Sequence, residues 1–271
     1  RWTQNRNMEA YLELIRDNRI DIRALIDKVV PISNAADAYQ LLLQETENQP
    51  VGVLIDYGVH DAATFPAETE SNSITLGGHR GTRSGRIRYV LVGAGAFGTS
   101  MLVPQMDTHR ELFDLRGVVS QNAVRGGNFA RQHKLEILAS DIDEILIRDD
   151  IDLVVISTRH DQHAMQTAAA LRAGKHVFVE KPLALTWNEL TEVQSALEER
   201  PPGTLLMVGF NRRFAPAMLA LRDAVKDRIC PLVVNYRLNG GYIPISNWIQ
   251  GPEGGGRNLG EACHMYDMKL L

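Results

Sequence analysis

The chain has 271 residues, 44% of them hydrophobic and 23% charged, with a formal net charge of −4. That length supports more than one domain with a core of its own, and the mild acidity gives no electrostatic case for a nucleic-acid or membrane partner. No apolar run approaches the ~20 residues that span a bilayer, and the two cysteines, Cys230 and Cys263, form no framework or C-x-x-C pair, which fits a cytoplasmic location.

In chain order, residues 1–57 read as one unit. Met8, Leu12, Ile15 and Ile20 fall on a helical period in "MEAYLELIRDNRID". Asn34 is placed to cap a second helix within "VVPISNAADAYQLLLQ", and "VGVLIDY" is a strand. Residues 58–86 turn polar and rich in Gly, Ser and Thr, as a linker or weakly ordered loop does. Arg1 opens the chain, "RWTQNRN" has no apolar signal-peptide core, and "CHMYDMKLL" closes it without a stop signal, so a piece of a longer protein is expected.

From Ile87 to residue 210, short apolar runs ("IRYVLVG", "FDLRGVVS", "IDLVVIST", "KHVFVE", "TLLMVGF") alternate with helical stretches. This alternation implies βαβ units and a doubly wound parallel sheet of the Rossmann type, its continuous Val/Ile strands buried on both faces. Residues 211–271 begin a different domain: a helix in "APAMLALRDAVKD", then "PLVVNYRLNGGYI", whose alternation predicts a strand. Trp187 and Met165 are expected in the core.

"VLVGAGAFGTS" carries Gly93, Gly95 and Gly98 with Ala96 and Phe97 between them, a G-x-G-x-x-G that follows a strand and opens a helix. In that setting the first glycine permits the turn and the second lets backbone approach a pyrophosphate. The third allows close helix–strand packing, and the helix start supplies N–H groups to the phosphates. NAD or NADP is therefore the expected cofactor. The next strand ends at Ser120 with no acid for a ribose 2′-hydroxyl. Arg125 follows, within reach of a 2′-phosphate, which tilts the reading to NADP; a solvated Arg125 is the competing reading.

Ligands of such sheets bind beyond the carboxyl ends of the strands. Thr158, His160, Glu180 and Lys181 stand at such ends, so Lys181 is a candidate to hydrogen-bond a substrate hydroxyl beside the nicotinamide, with Pro182 fixing the turn through a cis bond. The competing reading is a strand-end Glu180–Lys181 ion pair. His160 and His163 lack a third ligand at sensible spacing, so no metal is expected. Arg212 leaves the last strand facing the same mouth, and Arg213 is as well suited to a salt bridge. "GPEGGGR" reads as a mobile loop over the substrate site, or as disorder.

"GAGAFG", "STRHDQHA", "LRAGKHVFVEKPLAL", "GFNRRFAP" and "GGGRNLGEACHMYD", in this order, resemble the glucose–fructose oxidoreductase/inositol dehydrogenase/MocA family of NAD(P)-dependent sugar and polyol dehydrogenases, over about residues 86–271. The resemblance implies proton transfer and substrate binding at Lys181, a substrate-side histidine at His264, and a C-terminal α+β domain with an open, mostly antiparallel sheet. Many members carry Asp four residues before that histidine. Here the position is Gly260, followed by Glu261. Residues 1–57 more weakly resemble the C-terminal end of zinc-type medium-chain alcohol dehydrogenases. Together the resemblances imply a fragment of a fused oxidoreductase of surface-polysaccharide pathways, homo-oligomeric at full length and acting on a sugar, sugar nucleotide or polyol. A non-catalytic dinucleotide-binding or assembly module is the alternative.

Overall fold

The computed structural model describes residues 4–35, 37–38, 50–58, 73–75 and 85–268. The chain divides into two compact units, Arg1–Thr69 and Glu70–Leu271. In the first, helix α1 (Gln4–Arg16) precedes strands β1 (Lys28–Pro31) and β2 (Val53–Asp56), which pair in parallel. The Asp27 carboxylate ties the entry to β2, accepting from the Val51 and Gly52 amides at 2.6 and 3.2 Å. The helix expected after Asn34 lies mostly outside the described residues. So does most of the expected linker at 58–86, although 73–75 within it form a strand.

The second unit is built on a seven-stranded sheet. Its strands are β3 (Ser73–Thr75), β4 (Ile87–Val92), β5 (Phe113–Val119), β6 (Ile137–Ala139), β7 (Leu153–Ile156), β8 (His176–Val179) and β9 (Leu206–Val208), in the order β3-β6-β5-β4-β7-β8-β9. Only β3 runs antiparallel, against β6 at one edge. The helices are α2 (Val103–Asp107), α3 (Ala123–His133), α4 (Asp143–Leu146), α5 (His160–Arg172), α6 (Trp187–Glu199), α7 (Pro216–Val225) and α8 (Cys263–Met268). The strand order reverses on either side of β4, so the ligand crevice belongs at its carboxyl end.

The unbroken apolar runs have a simple cause. Val90 and Val92 of β4 pack with Val154, Ile156, Val177 and Val179 in one core, while Tyr89 and Leu91 pack with Leu115, Val118 and Val155 in another. Alternate residues thus enter opposite layers, and both must be apolar. β5 departs from this once. Tyr89 pairs with Leu115 but Val90 pairs with Gly117, so Arg116 bulges from the ladder. Its buried guanidinium pairs with Glu136 and lies 3.6 Å from Asp114, which Arg86 approaches at 3.3 Å.

Two core assignments are corrected. Trp187 is 83% exposed because it is the first residue of α6, whose start is fixed by the capping box of Thr186 and Glu189 while the inward face belongs to Val193 and Ala196. Met165 is exposed and borders the ligand crevice. The strand predicted in "PLVVNYRLNGGYI" does not form. Among the described residues nothing pairs with it, and Val233 and Tyr242 stay exposed, since alternation makes a ladder only beside a partner. No antiparallel sheet follows β9 among those residues.

Gly117 sets the spacing of β5 and β6: a Cβ there would lie 2.6 Å from Ile137 Cβ and 2.9 Å from its carbonyl oxygen. Gly117→Val should therefore cost about 3 kcal/mol, the upper part of the usual range for overpacking. A urea midpoint unchanged from wild type would contradict this packing.

Candidate functional site

The site starts from a contact that admits only glycine. Gly93 leaves β4 with φ +98°, and a Cβ on it would lie 2.8 Å from the Ser157 carbonyl group. Its amide donates to Val119 O at 2.9 Å, and the Ser157 hydroxyl donates to Gly93 O at 3.0 Å. Gly98 is buried in the following turn, where a Cβ would collide with Ser157 Oγ and lie 3.1 Å from Leu91 Cδ1. Gly95 differs. The nearest atom to its Cβ position is 3.8 Å away, so this face is open to the crevice. Turn, open approach and tight packing thus fall at the three expected places, and the loop fits a dinucleotide pyrophosphate.

The crevice has a volume of about 760 Å³ and lies at the carboxyl ends of the strands. Gly93, Gly95, Ala96 and Phe97 border it from the loop; Ser120 and Arg125 from the end of β5 and the first turn of α3; Thr158 and His160 from the end of β7; Glu180 and Lys181 from the end of β8. Trp248, Ile249, Gly260 and Glu261 of the C-terminal segment complete it. Gly98, Arg212 and His264 are not among the bordering residues. Asp141, Arg159 and Trp248, which sequence reasoning did not single out, are. No local motif marks them; the fold collects them from distant segments.

Lys181 opens a turn whose bond to Pro182 is cis, as expected. Its Nζ donates to Gly260 O at 2.8 Å, and among the described residues no ion pair joins it to Glu180. The strand-end ion pair is thereby set aside. The Glu180 carboxyl is buried in the space left by Gly209, whose Cβ would come within 2.8 Å of Glu180 Oε1. Burial pushes this carboxyl up to about 7, with the Lys181 charge opposing.

The histidines divide by position. His160 Nδ1 lies 2.9 Å from Gly254 O, and its ring stands edge-on to Trp248 with centroids 4.9 Å apart. Burial lowers its pKa, with smaller contributions from neighbouring charges. A Cβ at residue 260 would lie 3.2 Å from His160 Cε1, so this ring leaves little room for a larger residue there. His264 on α8 is buried, edge-on to Phe210, and its Nδ1 has no hydrogen-bond partner among the described residues. Burial, then the charges of Lys181 and Arg212, lower it to about 4. Arg212 itself donates to the Tyr236 hydroxyl at 3.3 Å, while Arg213 pairs with the buried Asp267, donating from Nε at 3.0 Å.

The segment "GPEGGGR" forms a turn that contacts the start of α5. The Asp161 amide donates to Glu253 O at 3.2 Å, and Arg159 pairs with Glu253 at 3.4 Å while its guanidinium carbon lies 4.1 Å from the Trp248 ring centre. Glycine is required at 254, where a Cβ would meet Ile249 O at 2.5 Å. Among the described residues no group of three or more His, Cys, Asp or Glu could hold a metal ion, and no helix is long and apolar enough to cross a membrane.

Comparison with known proteins agrees with this geometry. Residues 87–210 match the family model described as an oxidoreductase family with an NAD-binding Rossmann fold. The chain is 35% identical over 133 residues to a 4-carboxy-2-hydroxymuconate-6-semialdehyde dehydrogenase of Sphingobium, covering 48% of this chain and 40% of that one. It is 34% identical over 143 residues to a 1,5-anhydro-D-fructose reductase of Ensifer adhaerens, covering 51% and 42%. The chain thus spans about two fifths of these curated relatives. A solved NAD-binding protein of Listeria innocua shares the fold, with TM-score 0.55 and 23% identity over 68% of this chain and 54% of that one.

Two outcomes test the site. Gly95→Val places a branched side chain on the open face of the loop and should weaken NAD(P) binding about tenfold or more in calorimetric titration; equal affinities would remove the loop from the binding site. Glu180→Gln should alter the pH dependence of stability. The folded carboxyl keeps its proton up to about 7, whereas the unfolded one loses it near 4.5, so the wild type loses stability relative to the variant as pH rises through that window. His264 acts oppositely, weakening the fold as pH falls from 6.5 to about 4. The difference between wild type and Glu180→Gln in urea midpoint is therefore the quantity to read, and a flat difference from pH 4.5 to 7 would refute the buried, protonated carboxyl.

Proposed function

We propose, because the chain belongs through residues 87–210 to the glucose–fructose oxidoreductase/inositol dehydrogenase/MocA family of oxidoreductases with an NAD-binding Rossmann fold, that it is part of an NAD(P)-dependent dehydrogenase. Its substrate is a small polyhydroxylated molecule: a sugar, sugar nucleotide or polyol. The observation that carries this reading is that one crevice holds both the glycine loop and the Lys181 amine. Gly93 and Gly95 would hold the dinucleotide there, and its nicotinamide would supply the hydride acceptor or donor for the carbinol carbon.

The chain's own residues supply positioning and proton handling. Gly93 and Gly95 allow close backbone approach to the phosphates. Ser120 and Arg125, with no acid at the end of β5, favour NADP, while Asp141 across the crevice is the carboxylate available to a 2′-hydroxyl. Lys181 already donates one hydrogen bond to Gly260 O, which aims an ammonium group that has donors to spare at a substrate oxygen. A neutral imidazole then takes the hydroxyl proton as the hydride leaves. His264 is the histidine that the family resemblance names for this role. His160 is the one whose ring borders the crevice, and its Nδ1–H, donated to Gly254 O, leaves the lone pair on Nε2.

Lys181→Met keeps the length of the stem and removes the amine. In the full-length protein NAD(P) affinity should persist within about a few-fold, and turnover of a responsive sugar or polyol should fall by about 10²-fold, the scale for a lost acid–base group. His160→Gln and His264→Gln, assayed alongside, rank the two acceptors, with the larger loss expected at His160. Near wild-type turnover in Lys181→Met would defeat the assignment. Cofactor binding without turnover of any substrate by the wild type would favour the non-catalytic module.

A further inference from the structure

His163 takes no part in the chemistry above, yet it is completely buried on the first turn of α5, in the wall of the crevice. Its two ring nitrogens meet carbonyls of two other segments: Nδ1 lies 2.8 Å from Pro182 O and Nε2 3.3 Å from Thr158 O. Both partners only accept hydrogen bonds. A neutral ring has a single N–H, and the shorter contact takes it, so Nδ1–H donates to Pro182. Burial is the main cause that lowers the ring's pKa and keeps it neutral, with His160 and Lys181 contributing in the same direction.

The placement is specific. Thr158 ends the β7 turn that borders the crevice, and Pro182 directly follows Lys181. The neutral imidazole therefore ties the carbonyl that follows Lys181 to the first turn of α5, the helix that directly follows the β7 turn, while Nε2 only packs near Thr158 O. From the other side, Lys181 Nζ is held by Gly260 O at 2.8 Å. The backbone beside the lysine and the amine at its tip are thus fixed by separate hydrogen bonds.

We propose that His163 is a positioning residue, which sets the direction in which Lys181 enters the crevice by tying the Pro182 carbonyl to the first turn of α5. This rests on the reading of Lys181 as a substrate-facing amine. Leucine at 163 fills the space but leaves the buried Pro182 carbonyl without its donor. Asparagine keeps a donor at the place of Nδ1.

The test uses the purified chain without cofactor, labelled with trinitrobenzenesulfonate and analysed by peptide mass spectrometry. The readout is the labelling rate of Lys181 relative to the exposed Lys134. His163→Leu should raise that ratio about threefold or more, the scale of one lost neutral hydrogen bond, and His163→Asn should return it toward wild type. An unchanged ratio in a folded His163→Leu protein overturns the proposal, as does His163→Asn restoring the melting temperature but not the ratio. If the leucine variant does not fold, nitrogen-detected NMR of the wild-type ring decides. A protected Nδ1–H supports the tie, and an Nε2–H tautomer overturns it. NAD(P) titration run in parallel separates the two readings. Loss of NAD(P) binding in the wild type sinks the dehydrogenase reading and leaves the labelling result standing, whereas intact binding with unchanged labelling sinks only the role of His163.

Discussion

The backbone of Gly93 and the backbone of Ser157 lie too close for any side chain between them, since a Cβ on Gly93 would sit 2.8 Å from the Ser157 carbonyl. This contact joins the exits of β4 and β7, the two strands at which the order of the sheet reverses. Gly98 repeats it one turn later against Ser157 Oγ and Leu91. Because both glycines are committed to packing, the loop is held flat against the strand ends, and Gly95 alone keeps an open face. A crevice rather than a filled groove follows from that division of roles.

The opposite wall is arranged around residue 260. Its carbonyl receives the Lys181 ammonium, and its Cα lies so near His160 that a Cβ would come within 3.2 Å of the ring. Glycine at this position exchanges a side chain for two neighbours, a cation on the carbonyl and an imidazole against the backbone. In the resembling family an acid commonly stands there. Here the local π-type turn at Asn258–Ala262 presents backbone instead, as such turns often do at functional sites.

Electrostatics separates the two ends of the sheet. At the carboxyl ends, burial pushes Glu180 up to about 7 and lowers His160, His163 and His264, so these histidines are neutral near neutral pH and Glu180 is poised between its two forms. At the amino ends charged groups are paired with one another: Arg88 with Asp152 at 2.6 Å, Arg148 with Asp150 at 2.8 Å, and the buried Arg116 with Glu136. Removing one partner of the buried pair would strand a charge in the core, so that network supports the fold rather than the chemistry.

How much was legible in the sequence follows from the range of each interaction. The Rossmann sheet, the glycine loop and the strand-end place of Lys181 could be read directly, because period-two burial, positive φ and strand punctuation act over a few residues. Trp187 was misjudged because a cap, not hydrophobicity, decides which way the first residue of a helix points. The strand after residue 230 was misjudged because alternation needs a neighbouring ladder to become a strand. By itself the sequence determined the sheet, the cofactor loop and the strand end from which the amine emerges. Only the tertiary structure decided that Lys181 rests on Gly260 instead of Glu180, that His160 reaches Gly254 while His264 does not border the crevice, and that Trp248 and Arg159 meet across it. Those pairings join residues 70 or more positions apart, in short loops whose sequences carry no periodic signal.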